Sequence, residues 1–261
     1  MYGTIDRAHP GVVWAHTLKP VFLGGKIDLL KRRKSEFKAY ELTPHQTRRL
    51  FTERMWAKVV GFHTRNVIHR SHEFIQLAAL QNEYCDGLFV HPVVGKKKKG
   101  DFHSKYIIQS YEYMLEHYYP KDKVVFGTFS TFSRYAGPRE AVFTAICRKN
   151  FGCSHFIVGR DHTGVGDFYA PDASYKIFDQ FPDLGIEPVR FDQVFYSQKS
   201  DTHVHEKDSP RHSKKDKFHI SGTEARKMFE QGKAPPEWFM RPEISHIILD
   251  ALKRGEEVFV K

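Results

Sequence analysis

Five short apolar runs, each separated from the next by a longer amphipathic or polar stretch, constrain this chain more than any other feature. Trp56–Phe62 (WAKVVGF), Gly87–Val94 (GLFVHPVV), Lys123–Phe129 (KVVFGTF), His155–Gly159 (HFIVG) and Ile186–Phe191 have the length and β-branched or aromatic content of buried strands. Helical spacing predicts helices over His69–Leu80, Tyr106–His117, Arg139–Lys149 and Ser174–Phe181. Strands alternating with helices predict the α/β class, a mostly parallel sheet covered on both faces. In such sheets ligands bind beyond the carboxyl ends of the strands. The loops at those ends are rich in His, Arg, Gly and Asp. The stretch Ser197–Asp216 is polar, dense in His and Lys, and reads as an exposed connection. After it, Ile220–Gly232 and Arg241–Arg254 read as two helices of a small, mainly helical C-terminal unit. No internal repeat is visible.

Composition narrows the class. With 261 residues and 40% hydrophobic content, the chain can bury one large core, or one core and a small companion. No apolar run approaches the about 18 residues of a membrane helix, and Met1–Pro10 lacks the basic start and apolar core of a secretory signal. Three cysteines, Cys85, Cys147 and Cys153, are too few and too irregular for a disulfide framework. A cytoplasmic location is therefore expected. The formal charge of +10 fits either nucleic acid or small polyanionic substrates. Much of the excess lies in Lys31–Lys34, Lys96–Lys99 and Arg211–Lys217, runs that read as solvated loops. No recognition helix, zinc finger or aromatic RNA-binding motif accompanies them, so neither a nucleic-acid nor a membrane partner is expected.

Four constellations carry chemistry. His63-Thr64-Arg65-Asn66 follows the first strand and leads into His69 and His72, whose i, i+3 spacing puts both imidazoles on one side of a first helical turn. Free amides and the positive dipole end there favour phosphate, and Arg65 offers a planar fork to a tetrahedral oxyanion. No Gly-x-x-x-x-Gly-Lys run suggests a P-loop, and His72-Glu73 lacks the second His of a zinc protease. Gly159-Arg160-Asp161-His162-Thr163-Gly164 follows the fourth strand, with glycines for close backbone approach and Arg160 and His162 as donors. Ser221-Gly222-Thr223 opens a helix, as an N-cap or as a phosphate cradle. Tyr135–Glu140 is a fourth loop into a helix, with Arg139 at its mouth.

Taken in order, HTRNVIHRSHE, HPVVG, RYAGPREA, RKNFGCSHFIVGRDHTGVGDFY and ISGTEARKMFEQGKAPPEWFMRPEI resemble the ATP sulfurylase (sulfate adenylyltransferase) family over nearly the whole chain. The resemblance implies a Rossmann-like nucleotidylyltransferase domain that makes adenylyl sulfate and diphosphate from ATP and sulfate. It implies a remnant of an N-terminal PUA-like domain over residues 1–22, a catalytic domain over 23–196 and a small C-terminal domain over 197–261. Arg65, Asn66, His69 and His72 would be catalytic, and His63, Arg65 and Thr163 would meet sulfate. Asn66, His69, His72, Gly159, Arg160, Asp161, His162, Gly164, Ser221, Gly222 and Thr223 would line the nucleotide. Mg²⁺ would enter as Mg-ATP. The partners would be these two small molecules, and a homo-oligomer is compatible with the reading.

The sequence departs from that family in places. His63 stands where the family has glutamine, which makes sulfate binding open to pH if the imidazole protonates. Thr163 stands where alanine is usual, and its hydroxyl would tighten the pocket or add a bond. Ser197, Ser200 and Ser209 occupy positions of a Cys-based zinc site in some members, so no structural zinc is expected. By the resemblance, residues 1–20 would be only the tail of the N-terminal PUA-like domain, so that a shortened form and a fragment are both open, and no fused adenylyl-sulfate kinase is expected. Two alternatives stay open: an adenylyltransferase for another oxyanion, and a diverged or inactive nucleotide-binding homologue.

Overall fold

The computed structural model describes residues 1–31, 34–159, 162–208 and 212–261. Five strands, β1 (Val59–Phe62), β2 (Gly87–Val90), β3 (Val124–Phe126), β4 (His155–Gly159) and β5 (Glu187–Phe191), form one parallel sheet in the order β3-β2-β1-β4-β5. The expected α/β architecture and all five expected strands are present. β1, β2 and β3 are buried throughout, as a sheet covered on both faces requires.

Helices α1 (Pro10–Thr17), α2 (Pro44–Glu53), α3 (Arg70–Asn82), α4 (Ser104–His117), α5 (Pro138–Asn150) and α6 (Ala173–Lys176) precede or connect the strands. Their starts follow local chemistry. Thr43 caps α2 in a reciprocal box with Gln46, and Pro44 occupies the first turn where its missing N–H costs nothing. Pro138 starts α5 after Gly137, whose φ of 49° and tight approach to the Tyr169 ring leave no room for a side chain. The helix expected over Ser174–Phe181 is shorter: α6 yields to a 3-10 turn at Ile177–Gln180.

The segment Ser197–Asp216 is not simply a connection. β6 (Val194–Ser197) pairs antiparallel with β7 (Thr202–His205) and with β8 (Lys217–Phe218). The polar sequence hid β7 because this strand is half-exposed and buries no aliphatic face. Helices α7 (Gly222–Glu230) and α8 (Pro242–Lys253) follow, and Ala225, Phe229, Ile244, Ile248 and Ala251 join the same apolar cluster as Val60, Leu88 and Ile107. A second cluster on the other face of the sheet gathers Phe51, Phe89, Ala141, Ala145 and Phe156. Residues 18–30 lack regular structure, and Phe22, Leu23 and Leu30 there are exposed. Among the described residues no helix is long and apolar enough to cross a membrane.

One ion pair ties α8 to the sheet layer. Arg241, just before α8, donates to both carboxylate oxygens of Glu73 at 2.6 and 3.0 Å, and its guanidinium lies 3.4 Å from the Tyr118 ring centre. Both side chains are largely buried. Arg241→Ala leaves Glu73 a half-satisfied buried charge and should lower unfolding stability by about 3 kcal/mol. A urea midpoint equal to wild type would show that the pair contributes nothing.

Candidate active site

The strand order reverses between β1 and β4, the place where a doubly wound sheet opens a crevice at its carboxyl edge. The two richest sequence motifs leave the sheet there, one after Phe62 and one after Gly159. They meet in a cavity of about 260 Å³ lined by His63, Thr64, Arg65, Asn66, His72, Ser133, Gly159, His162, Thr163 and Gly164. A neighbouring cavity of about 340 Å³ is lined by His69, Ser71, His72, Gly159, Asp192, His203, His219, Ser221, Gly222, Trp238 and Phe239. His72, Ile75 and Gly159 belong to both, so the two form one cleft. A β-carbon built on Gly159 would meet nothing within 4 Å, which leaves that backbone open to a ligand.

His69 and His72 sit at the join. His69 is the N-cap residue of α3, but its side chain makes no capping bond. The rings of His69 and His72 stack at 3.7 Å, and His69 stacks in turn on Phe239 at 5.0 Å. Nδ1 of each ring is buried without a partner among the described residues, which leaves Nε2 as the edge open to the cleft. Burial holds both imidazoles neutral: it pushes His72 down to about 4, and His69 well below its usual value with help from nearby His72, His203 and His219. The pair therefore faces the cleft as neutral hydrogen-bond groups.

The other end of the cleft is cationic. The Arg65 guanidinium lies 5.3 Å from the Tyr135 ring centre, and Lys98 Nζ lies 5.1 Å from the same ring. Lys97 is pushed down to about 8, chiefly by burial, with Asp101 opposing and Arg65 assisting. Burial also lowers Lys98 and Arg226, and Arg65 presses on both. Among the described residues Arg65 is the one guanidinium or ammonium group lining the cleft itself; Lys97 and Lys98 line the adjoining cavity with Trp14 and Tyr135, and their repulsion adds to a field that favours an anion at Arg65. The Lys96–Lys99 run is thus only partly a solvated loop: Lys97 folds back to donate to the Val93 carbonyl.

The expected site residues divide by placement. His63, Arg65, Asn66, His69, His72, Gly159, His162, Thr163, Gly164, Ser221 and Gly222 all border the cleft. Ser221 spends its hydroxyl on a capping box with Glu224. Thr223 lines neither cavity and its hydroxyl accepts from Arg226 at 3.1 Å. Arg139 is exposed and borders neither cavity. Arg160, Asp161 and Ser209 lie outside the described residues. Thr163 takes φ 57°, costly for a β-branched residue, and its hydroxyl donates to the carbonyls of His162 (2.7 Å) or Gly137 (3.3 Å). That hydroxyl therefore bonds within the turn, while Thr163 still lines the smaller cavity. His63 differs from expectation: burial, with Arg148 next in strength, holds it well below its usual value, so it stays neutral through physiological pH.

Sequence reasoning missed Arg148, Lys97, Lys98, Trp238 and Phe239. Arg148 carried a signal: with Ala141 and Ala145 it falls at i, i+4, i+7 on the buried face of α5, a phase at which a charge is out of place. His203 and His219 line the larger cavity, His205 Nε2 accepts from the Asp192 amide, and His212 packs on Phe195. Among the described residues no three His, Cys, Asp or Glu gather as metal ligands do.

These buried imidazoles predict acid sensitivity. His162, held at about 3 by burial and Arg148, and His72, at about 4, bind protons more weakly folded than at the unfolded value near 6.5. Stability is then full above about 6.5 and falls as pH drops toward those folded values, by on the order of a few kcal/mol. The urea midpoint should decline steadily between pH 6.5 and 4; a flat midpoint would contradict neutral burial.

Comparison with known proteins gives a consistent picture. A family model described as ATP-sulfurylase matches residues 38–251. A sulfate adenylyltransferase of Pyrococcus abyssi is 48% identical over 95% of this chain and 65% of its own length. One of Ignicoccus hospitalis is 49% identical over 95% of this chain and 64% of its own, and one of Hyperthermus butylicus 45% identical over 99% and 67%. The chain thus spans about two thirds of the length of the curated relatives it matches. A solved structure described as a hexameric APS kinase from Thiobacillus denitrificans superimposes with a TM-score of 0.67 at 23% identity, covering 85% of this chain and 41% of its own. At that identity the likeness concerns the fold.

Proposed function

Since this chain belongs to the ATP-sulfurylase family, we propose that it is a sulfate adenylyltransferase, converting ATP and sulfate to adenylyl sulfate and diphosphate. The observation that carries the reading is the single cleft with a cationic end at Arg65 and a stacked imidazole pair at a helix start. A sulfate oxygen attacks the α-phosphorus in line; the new P–O bond forms as the bond to the bridging oxygen of diphosphate breaks. No covalent intermediate with the protein is needed, and no side chain has to take a proton. The work is to hold two repelling anions in line and to stabilise charge on the transferred and leaving groups.

Arg65 holds sulfate through its fork, with His63 beside it. Neutral His69 and His72 donate from Nε2 to phosphate oxygens, aided by the amides opening α3. Trp238 and Phe239 offer flat apolar walls to the adenine. Asp192 is the one carboxylate among the described residues that line the cleft, which suits Mg²⁺ arriving on the nucleotide phosphates with its waters rather than in a protein cage. Three free thiols, two of them buried, support a reducing cytoplasm as the compartment.

The reverse direction tests the reading without competition from ATP hydrolysis. Adenylyl sulfate plus diphosphate, with Mg²⁺, should yield ATP. Absence of ATP formation by folded protein would sink the proposal in favour of an inactive nucleotide-binding homologue.

A further inference from the structure

A buried cation with no carboxylate partner among the described residues stands directly behind the anion end of the cleft. Arg148 is 0% exposed. Its stem crosses β1 at Gly61, where a β-carbon would come within 2.8 Å of Arg148 Cγ, so the strand is shaped to admit it. Its guanidinium lies 4.7 Å from the Phe129 ring centre, and Nη2 donates to the His91 carbonyl at 2.7 Å and to His63 Nδ1 at 2.8 Å. Nε has no partner. Leaving a guanidinium uncompensated in the interior is expensive, which invites a role for it.

The bond to His63 has one chemical reading. A guanidinium only donates and keeps its protons, so Nδ1 of His63 must be the bare acceptor. A neutral imidazole carries one N–H, and here it must lie on Nε2, at the opposite edge of the ring. Nε2 has no protein partner among the described residues, and His63 lines the cavity with Arg65, Asn66 and Thr163. The ring is thus held in one tautomer and one orientation, with a positive charge behind it. Neighbouring His162 lies 5.5 Å away centre to centre, with its Nε2 engaged by the Thr144 hydroxyl; His91 and Lys97 also act on His63, and both add to the unfavourable cost of charging it.

We infer that Arg148 is a positioning residue that makes His63 a donor-only contact, so that this wall takes a tetrahedral oxyanion whose facing oxygen carries no proton. The inference rests on the reading of this cleft as a sulfate site. An Nε2–H edge meets a bare sulfate oxygen well but cannot accept from the hydroxyl that hydrogen phosphate carries at neutral pH. Asn66 and Ser133 supply other polar edges of the cavity, so the discrimination assigned to His63 is partial.

The experiment pairs a spectroscopic and a kinetic readout on the full chain. At neutral pH the histidine ¹⁵N spectrum should show His63 wholly as the Nε2–H tautomer, and Arg148→Met should release it to a mixture. An Nδ1–H His63 in wild type overturns the inference. In sulfate-dependent diphosphate release, Arg148→Met should raise the sulfate KM about tenfold, leave the ATP KM unchanged, and make phosphate a stronger competitor. In a His63→Ala background the same substitution should change sulfate KM less than about twofold, since no ring remains to be positioned. Equal effects in both backgrounds would overturn it. Arg148→Gln keeps an amide donor for Nδ1 and should recover most of the sulfate KM; a Gln variant as poor as Met would show lost packing instead. Should wild type carry the Nε2–H tautomer yet turn over no sulfate, the enzymatic reading fails by itself. Calorimetric binding of sulfate against phosphate then decides: a sulfate preference that Arg148→Met abolishes upholds the positioning role, and an unchanged preference ends it.

Discussion

Replacing His69 with alanine should cut kcat for sulfate-dependent diphosphate release by about 10²–10³-fold while changing the ATP dissociation constant only slightly. The ring sits where α3 begins, stacked between His72 at 3.7 Å and Phe239 at 5.0 Å, with Nε2 as its one usable edge. A donor so fixed matters most when charge builds on the transferring and leaving phosphates, so its loss should appear in kcat rather than in ground-state binding. Because the ring is neutral, it acts by donating a hydrogen bond and not by carrying charge. His69→Gln, which restores an N–H at similar reach, should therefore recover much of the rate. Equal losses in kcat and in ATP affinity would show instead that the ring merely binds nucleotide. Stopped turnover and calorimetric ATP binding on the same preparations separate the two.

Arg65→Ala should lower kcat/KM for sulfate by about 10³-fold, the scale of losing two charge-assisted hydrogen bonds. ATP binding should survive, since the larger cavity, bordered by His69, Trp238 and Phe239, is not lined by Arg65. Arg65→Lys should restore little. Lysine lacks the planar fork, and its ammonium would enter a neighbourhood already crowded by Lys97 and Lys98, where burial and mutual repulsion lower the cations' affinity for protons. Steady-state kinetics with sulfate varied at saturating Mg-ATP gives the answer. If Arg65→Lys retained wild-type sulfate KM, charge alone would suffice and the geometric role of Arg65 would be lost.

Much of the fold was legible because its signals are local. The five sheet strands announce themselves as short apolar runs, and the cap at Ser221 lies within three residues of its partner Glu224. The cleft was legible for a related reason: at the carboxyl edge of a parallel sheet, each strand delivers the next few residues to the site. His63–Asn66, and Gly159 with His162, Thr163 and Gly164, were therefore placed by contiguity. What failed to show depends on partners distant in sequence. Arg148 reaches His63 across 85 positions, and only tertiary packing tells a buried functional guanidinium from a surface one on the same helix. Lys97 looks like its neighbours in a basic run until the chain folds it against Val93. β7 was invisible because a half-exposed strand carrying Thr202, His203 and His205 has no apolar face to display. Thr163 was read by its side chain, whereas its backbone φ and two carbonyl neighbours decide where the hydroxyl goes.

The proposed joining of sulfate to the α-phosphorus of ATP in this cleft is open to direct assay. The most direct measurement is diphosphate release from Mg-ATP by the purified chain, with and without added sulfate. Release should depend on sulfate, saturate with it, and disappear in Arg65→Ala. Release at the same rate without sulfate, or none at all from protein that still binds ATP, would contradict the proposal.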